Sequence, residues 1–490
     1  MKTLRRGAGA VLLILWTVSA GAMTGEMASV QRDVVEPVAV AQHSVGPLSL
    51  DECIDIALKK NRFRPAARFA VEIAEAQHKQ ALSGYWPRMK LSAAWTRLDE
   101  DPNFVFPSFS MELPAMSMAG FNVQLPPIAV PEQDIRLMDK RVFHSSLDLV
   151  YPLYLGGKVS SIVRQADYGV QIANHEARRT DMKVIYDVKR FYYGAVLARG
   201  VHEIAKEALA RLEITLDLTE NVYKQGSGRV KKNDYLKSKA VVENVRSFVA
   251  LLKNKEKLAK AALVNTMGLD WSMSVAPSAA AIPFAPYRTD VKELVADAYR
   301  FNPDWAKVNA GLKALEAKIC EAKSGRLPRI ALVGRLQHIE NSYDYGMVTP
   351  ENKNTWTLGV GLELPLFTGF RTANQVREAR ARLRRLEEQK VLLREGIALQ
   401  IQHLFLKMAT AQEQQKAAGD ALATAEAHRA LTERAYQCEL MEEKDLIESQ
   451  ILESLMKARY QKVLYDHIEA QAHLDFVVGQ EIHARLGGEQ

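Results

Sequence analysis

Four short stretches of the chain alternate apolar and polar residues with a period of two. Met89, Leu91, Ala93 and Trp95 alternate with Lys90, Ser92, Ala94 and Thr96. Phe143, Leu147, Leu149 and Tyr151 alternate with His144, Ser146 and Asp148, Ser145 being an exception on the apolar side. Ile330, Leu332 and Leu336 alternate with Arg335 and Gln337, less cleanly because Ala331 and Val333 intrude. Trp356, Leu358, Val360, Leu362 and Leu364 alternate with Thr355, Thr357, Gly359, Gly361 and Glu363, the clearest of the four. Period two predicts strands with one apolar and one polar face, around 88–98, 141–151, 329–339 and 355–365.

A second pattern is helical. None of the 18 prolines falls between Leu153 and Ala276, and none follows Pro365, leaving proline-free tracts of 124 and 125 residues. Proline breaks helix interiors, and both tracts are rich in strong helix formers. Runs of roughly 66 residues, Gly157 to Val222 and Phe370 to Ala435, are predicted as continuous helices of about 100 Å each. Val376, Ala379, Leu383, Leu386, Leu393 and Ile397 recur at mixed three- and four-residue steps, which suits a coiled-coil-like seam. Shorter helices of roughly 36 residues are expected at Ser49–Gly84 and Asn233–Gly268, and again at Asp290–Gly325 and Asp445–Ile482. Two short rods end to end match one long rod, so the arithmetic predicts a wall of paired helices.

The landmarks recur in order. ALKKN (57–61) matches AYRFN (298–302), and SGYWPR (83–88) matches SGRLPR (324–329), both 241 positions apart. YPLYLGGK (151–158) and LPLFTGFR (364–371) are 213 apart; Asp234 and Asp445, and Gly268 and Gly479, are 211 apart. Offsets that hold and then step are the mark of a tandem duplication with insertions. The first step lies in the Pro- and Met-rich Pro102–Lys140, which reads as a long loop. The second lies near YKQGSGRVKKND, at a helical turn-around. The predicted organisation is a first repeat at 48–269, a linker at 270–288, a second repeat at 289–482 and a tail at 483–490.

The N-terminus adds an address. Lys2, Arg5 and Arg6 precede an apolar run, and Ala20-Gly21-Ala22 offers small residues for cleavage, so 1–22 is expected to be a secretory signal and 23–47 an N-terminal periplasmic segment. After position 26 no uninterrupted apolar stretch could cross a bilayer as a helix. Strands of ~10 residues with Trp95, Tyr151 and Trp356 near their ends fit outer-membrane strands with interfacial aromatics. Four strands cannot close a barrel, which needs about 8, and open edges are not tolerated in lipid, so several copies must share one. A trimer with twelve strands is the simplest arrangement.

At this point the sequence resembles the TolC-like outer-membrane efflux protein family over nearly all of 48–480. The residues that carry the likeness are LSLDECIDIALKKN, SGYWPR, the pair YPLYLGGK and LPLFTGFR, the tip patterns Tyr223…Asp234 and Tyr436…Asp445, and AALVNTMG with AHLDFVVG. The resemblance implies a mainly α fold with a small transmembrane β-barrel: a trimer whose shared twelve-stranded β-barrel continues into a long α-helical barrel of coiled-coil-like hairpins. It implies a passive exit duct for efflux or type I secretion, with a periplasmic adaptor and an RND, ABC or MFS type inner-membrane transporter as partners. It makes Tyr436, Asp445, Glu448, Tyr223 and Asp234 gate candidates and Gly226, Gly228, Arg229, Glu439, Leu440 and Met441 adaptor-contacting candidates. Asp445 and Glu448 are i,i+3 neighbours on one helix face, six carboxylates over three chains. The chain departs from the family in a two-residue insertion at its first tip, in Lys237 where Glu448 stands in the second repeat, and in Glu439 at the place of the tip glycine.

Composition excludes other classes. A net charge of +7 is mild and spread out, with no basic block for nucleic acid. HExxH, P-loop and GxSxG motifs are missing, and His467 and His473 do not share a helix face well, so no enzyme and no cofactor is expected. Met111, Met116 and Met118 are read as apolar filler in a loop rather than soft-metal ligands. Cys53, Cys320 and Cys438 are read as small residues in helical packing. The competing reading, a periplasmic coiled-coil adaptor or scaffold without a pore, shares the long helices but not the four strands.

Overall fold

The computed structural model describes residues 44–114, 116–118, 121–123, 126–226, 230–287, 289–343 and 345–479. The expected signal, most of the segment 23–47 and the tail 483–490 lie outside these residues. In chain order the elements are β1 (Ser44–Leu48), α1 (Leu50–Lys60), α2 (Phe63–Leu82), β2 (Arg88–Arg97), β3 (Asn103–Phe106), β4 (Phe109–Met111), β5 (Met116–Met118), β6 (Phe121–Val123), β7 (Ile128–Val130), β8 (Gln133–Arg136) and β9 (Arg141–Tyr154). There follow α3 (Lys158–Lys224), α4 (Lys232–Thr266), β10 (Ser274–Pro277), α5 (Val291–Phe301), α6 (Pro303–Ser324), β11 (Arg329–Asn341), β12 (Asn354–Glu363), α7 (Arg371–Gln437) and α8 (Glu443–Val478).

The two continuous helices α3 and α7 are each 67 residues, about 100 Å at 1.5 Å per residue. The shorter rods pack beside them. Arg64 of α2 pairs with Asp181 at 2.5 Å and Arg179 with Asp304 of α6 at 2.8 Å, so the first half of α3 lies between α2 and α6. Lower down, His202 meets Glu256 of α4 at 2.6 Å and Arg211 meets Glu453 of α8 at 3.6 Å. The row of rods is therefore α2 above α4, then α3, then α6 above α8, then α7.

The rods expected at Ser49–Gly84 and Asp290–Gly325 are each broken in two. Asn61 and Asn302 sit at the breaks in extended conformation, with ψ of 129° and 123°. Pro303 excludes helical backbone from the residue before it, which explains the second break. Both asparagines splice the stacked rods. The amide of Asn61 donates to the Thr266 carbonyl at 2.7 Å while its oxygen accepts from Phe63 N–H at 2.8 Å. The amide of Asn302 donates to the Val477 carbonyl at 2.7 Å while its oxygen accepts from Asp304 N–H at 2.8 Å. Gly268 (φ +70°) and Gly479 (φ +82°) end α4 and α8, and a Cβ on Gly268 would strike the Lys60 carbonyl. Left-handed backbone pressed against a neighbouring chain is a place for glycine.

Two apolar cores surround these splices. One joins Cys53, Ile54 and Ala57 of α1 to Met182–Val196 of α3 and to Leu263, Val264 and Met267 of α4. The other joins Leu294 and Ala298 of α5 to Ile397–Met408 of α7 and to Leu474, Val477 and Val478 of α8. The linker is bound to the first core: β10 pairs in parallel with β1, and the hydroxyl of Tyr192 donates to the Leu48 carbonyl at 3.2 Å.

Strands β12, β11, β9 and β2 form one antiparallel sheet in that order. The segment Pro102–Lys140 is not a bare loop. Strands β3 with β8, β4 with β7 and β5 with β6 are nested antiparallel ladders of one ribbon. Pro107 and Pro131 interrupt its two arms at the same level, between the first and second ladders, because proline cannot donate to a ladder. The cysteine expectation needs correcting too: only Cys53 is buried, whereas Cys320 and Cys438 are exposed.

Candidate functional site

Two regions hold the residues singled out by sequence, the four-stranded sheet and the hairpin tips. In the sheet, register puts Leu91, Leu147, Leu336 and Trp356 in one cross-strand row and Tyr151, Leu332 and Val360 in another on the same face. The opposite face carries the row Lys90, Asp148, Arg335 and Thr357, in which Arg335 pairs with Asp148 at 2.5 Å. The apolar face has no cover among the described residues: Trp95 and Trp356 are 66% and 73% exposed. Trp95, level with Phe143, lies toward one end of that face and Tyr151, level with Leu332, toward the other, with Trp356, level with Leu336, between them. Strands β2 and β12 have no partner on their outer edges among the described residues.

At the first tip α3 ends at Gln225, and Gly226 takes φ +68° with its N–H on the Tyr223 carbonyl at 3.1 Å. Gly228 and Arg229 lie outside the described residues. Tyr223 stacks on Tyr235 with ring centres 5.6 Å apart and planes 2° from parallel. Asp234 stands in the first turn of α4, where its charge suits the helix N-terminus.

The second tip closes with a Schellman motif: Leu440 N–H reaches the Ala435 carbonyl at 2.8 Å and Glu439 N–H the Tyr436 carbonyl at 3.0 Å. Glu439 holds φ +62°, the conformation that Gly226 holds at the first tip. Leu440 and Met441 are exposed. Tyr436 is half-buried beside Thr219 of α3, whose own hydroxyl donates to the Thr215 carbonyl at 2.8 Å, and burial, followed by the charge of Glu443, pushes the Tyr436 pKa up. Asp445 is half-buried in the first turn of α8, and exposed Glu448 pairs with Lys444 at 3.6 Å. Among the described residues Tyr436 and Asp445 are not brought into a hydrogen bond with each other; the neighbours of the Tyr436 hydroxyl are Thr219 and Glu443.

Sequence reasoning missed three features here. Thr219 looks like any helical threonine, and Glu443, buried with both carboxylate oxygens lacking a hydrogen-bond partner among the described residues, looks like a solvated helix start. Above the tip, Glu453 is buried among Arg429 at 2.6 Å, Lys457 at 2.7 Å and Arg211 at 3.6 Å, joining α8, α7 and α3. Burial alone would raise the Glu453 carboxyl, but these cations outweigh it and hold the pKa below the ordinary value. The only trace in sequence is the i,i+4 spacing of Glu453 and Lys457, which exposed pairs share. Among the described residues no cluster of His, Cys, Asp or Glu is placed to hold a metal, and no helix is long and apolar enough to cross a membrane.

Comparison with known proteins places this geometry. A family model described as outer membrane efflux protein matches residues 53–269 and 294–480. Protein CyaE of Bordetella pertussis is 26% identical over 317 residues, which span 63% of this chain and 62% of CyaE. Among solved structures, the CmeC outer membrane channel of Campylobacter jejuni is similar with a TM-score of 0.70 at 16% identity, covering 88% of this chain and 85% of that one. A membrane protein from Pseudomonas aeruginosa is similar with a TM-score of 0.68 at 19% identity, covering 88% of this chain and 93% of that one.

Proposed function

The chain belongs to the outer membrane efflux protein family, and we propose that three copies form one passive exit duct, a shared barrel in the outer membrane continued by helical rods across the periplasm. The open sheet carries this reading. Among the described residues one face of β2, β9, β11 and β12 is apolar and uncovered, and both edge strands leave backbone groups unpaired. Such groups cannot face hydrocarbon without a cost of several kcal/mol each. Pairing β12 of one copy with β2 of the next removes every edge, and three copies make twelve strands. The rods support the same closure. Along α7, Leu392, Leu399 and Leu406 are exposed seven residues apart, an unfilled seam on an outer rod of the row. The rod at the other end leaves Phe69, Ile73, Phe248, Leu251 and Leu258 exposed to meet it.

The paired offsets support two tandem repeats, since Asn61 and Asn302, and Gly268 and Gly479, do the same work in each half. Conduction needs no chemistry: energy comes from an inner-membrane transporter, and an adaptor bridges it to the tips. Leu440 and Met441, exposed at the second tip, are the apolar contacts such an adaptor would cover, with Gly226, Gly228, Arg229 and Glu439 as further contact candidates. Asp445 and Glu448 of three copies would ring the periplasmic mouth with acid and favour cations. Trp95, Tyr151 and Trp356 would sit at the membrane interfaces. The test is the protein mass of the detergent-extracted particle by light scattering. Three chains per particle are expected; one chain, or recovery from the soluble periplasm, removes the shared barrel.

A further inference from the structure

Between α6 and α7, just below the sheet, the wall of rods is hollowed on both faces. The first hollow, about 660 Å³, is lined by Arg329 and Glu363 from the strands and by Arg371, Gln375, Glu378 and Arg382 of α7. All three of its acids are paired, Glu363 with Arg329 at 3.8 Å, Glu378 with Arg382 at 2.6 Å and Glu321 with Lys318 at 2.7 Å, while Lys158 and Arg371 line it without an ion pair among the described residues. Glu363 continues the polar series of β12, so this hollow lies on the polar side of the sheet.

The second hollow, about 910 Å³, is lined by Lys323, Arg326 and Leu327 of the α6 end and by Arg377, Arg380 and Arg384 of α7. Each α7 position here follows one in the first hollow by two residues, a turn of about 200° around the helix. It therefore opens on the opposite side, beneath the apolar face of the sheet. All five cations are exposed, no acid lines the groove, and none of the five is in an ion pair with a described residue. The turn directly above presents Leu366, Phe367 and Phe370 to the surroundings. The first half of the chain does not repeat the feature. The same offsets lead from Lys323, Arg326 and Leu327 to Leu82, Tyr85 and Trp86, and from Arg380 and Arg384 to Asp167 and Gln171.

We propose that this groove binds the head group of an anionic phospholipid from the periplasmic leaflet of the outer membrane, with the apolar turn against its acyl chains. The proposal rests on the shared-barrel reading, which makes the apolar face of the sheet the lipid face. Five unpaired cations at the level where hydrocarbon gives way to water are matched by a phosphate diester, and guanidinium forks suit its oxygens. Basic pockets beside membrane-embedded apolar surface recognise lipid head groups on this ground.

The test uses the full mature protein extracted from outer membranes, its particle mass measured first, then delipidated and titrated with dihexanoyl-phosphatidylglycerol, dihexanoyl-phosphatidylcholine or inorganic phosphate. Binding is read by native mass spectrometry and thermal midpoint. Phosphatidylglycerol is expected to bind and to raise the midpoint more than phosphatidylcholine. Arg326→Gln, Arg380→Gln and Arg384→Gln together should weaken it at least ten-fold, while Lys318→Gln with Arg382→Gln in the opposite hollow should not. Equal binding of both lipids, an unchanged triple variant, or displacement by inorganic phosphate at matching concentration would each overturn the lipid site while leaving a three-chain particle intact. A one-chain soluble particle would instead bring down the barrel and the groove together.

Discussion

Left-handed backbone is where single residues decide the turns of this chain. The strand-to-helix turns place Gly156 and Gly157 at φ +62° and +75° in the first half, and Gly369 and Phe370 at +58° and +62° in the second. At the tips, Gly226 faces Glu439 in the same comparison. A side chain in this region costs about 1–2 kcal/mol relative to the right-handed well. Glu439→Gly should therefore stabilise the second tip by about 1 kcal/mol, read as slower hydrogen exchange of the Leu440 amide; faster exchange would mean that the Glu439 side chain contributes more than its backbone costs. The sulfur positions separate in the same residue-by-residue way. Burial pushes the Cys53 thiol up to about 11, with the Glu52 charge adding to it. Cys53 should resist maleimide at pH 8 in the native protein and react only after unfolding, since the thiolate is the reactive form. Labelling of native Cys53 at the rate of a free thiol would show that α1 opens readily.

At the scale of elements, the asparagine splices convert four short helices into two composite rods. Asn302→Ala loses an N-cap and leaves the buried Val477 carbonyl without its donor, a cost of about 2–4 kcal/mol. Asn302→Asp keeps the cap but not the donor, so it should fall between alanine and wild type in thermal midpoint. Equal midpoints for all three would show that packing alone aligns α6 on α8. Further down, Glu453→Gln leaves Arg429, Lys457 and Arg211 around a neutral group and should destabilise the lower hairpins by about 3 kcal/mol. Because the folded pKa of Glu453 is held below 4.5, its contribution is present above that pH and lost as pH falls through the folded value. Pepsin cleavage of the hairpins should rise below about pH 4.5 in wild type, relative to cleavage of the unfolded chain at the same pH, and depend less on pH in the variant. Legibility differs among these elements for physical reasons. Strands β2, β9, β11 and β12 were readable because one uncovered face demands strict alternation, and α3 and α7 because proline is absent over their whole length. The break at Asn302 had a sign in the proline that follows it and the break at Asn61 in Pro65, in the first turn of α2; what the sequence hides is the carbonyl each asparagine reaches, 175 and 205 positions away. The ribbon from β3 to β8 was hidden by the prolines that punctuate it. Glu453 was invisible because burial between three rods is not written in the spacing of its own helix.

In the proposed three-chain duct, closure of the periplasmic mouth would rest on how firmly the tip of α7 is packed against its neighbours. Within one chain Tyr436 is half-buried beside Thr219 of α3 and buried Glu443. Opening by outward movement of the second hairpin would have to undo that packing and expose Glu443. Asp445, half-buried in the first turn of α8, faces whatever lies at the mouth, and in a three-chain ring that is a neighbouring copy. Tyr436→Phe removes a half-buried polar group at a cost of about 1 kcal/mol per copy; in the proposed trimer, three copies on one aperture would shift the closed state by about 3 kcal/mol, roughly a hundred-fold in the open-to-closed ratio at 1.4 kcal/mol per ten-fold. Adding Asp445→Ala removes the charge that would bind a neighbour. Single-channel conductance of the purified protein in planar bilayers should therefore rise in Tyr436→Phe and rise further in the double variant. Thr219→Val should act in the same direction as Tyr436→Phe, because it removes the polar neighbour of the Tyr436 hydroxyl on α3. If Thr219→Val and Tyr436→Phe both conduct like wild type, the anchor lies elsewhere. If only Asp445→Ala raises conductance, contacts between copies hold the mouth and the packing within the chain merely shapes the hairpin.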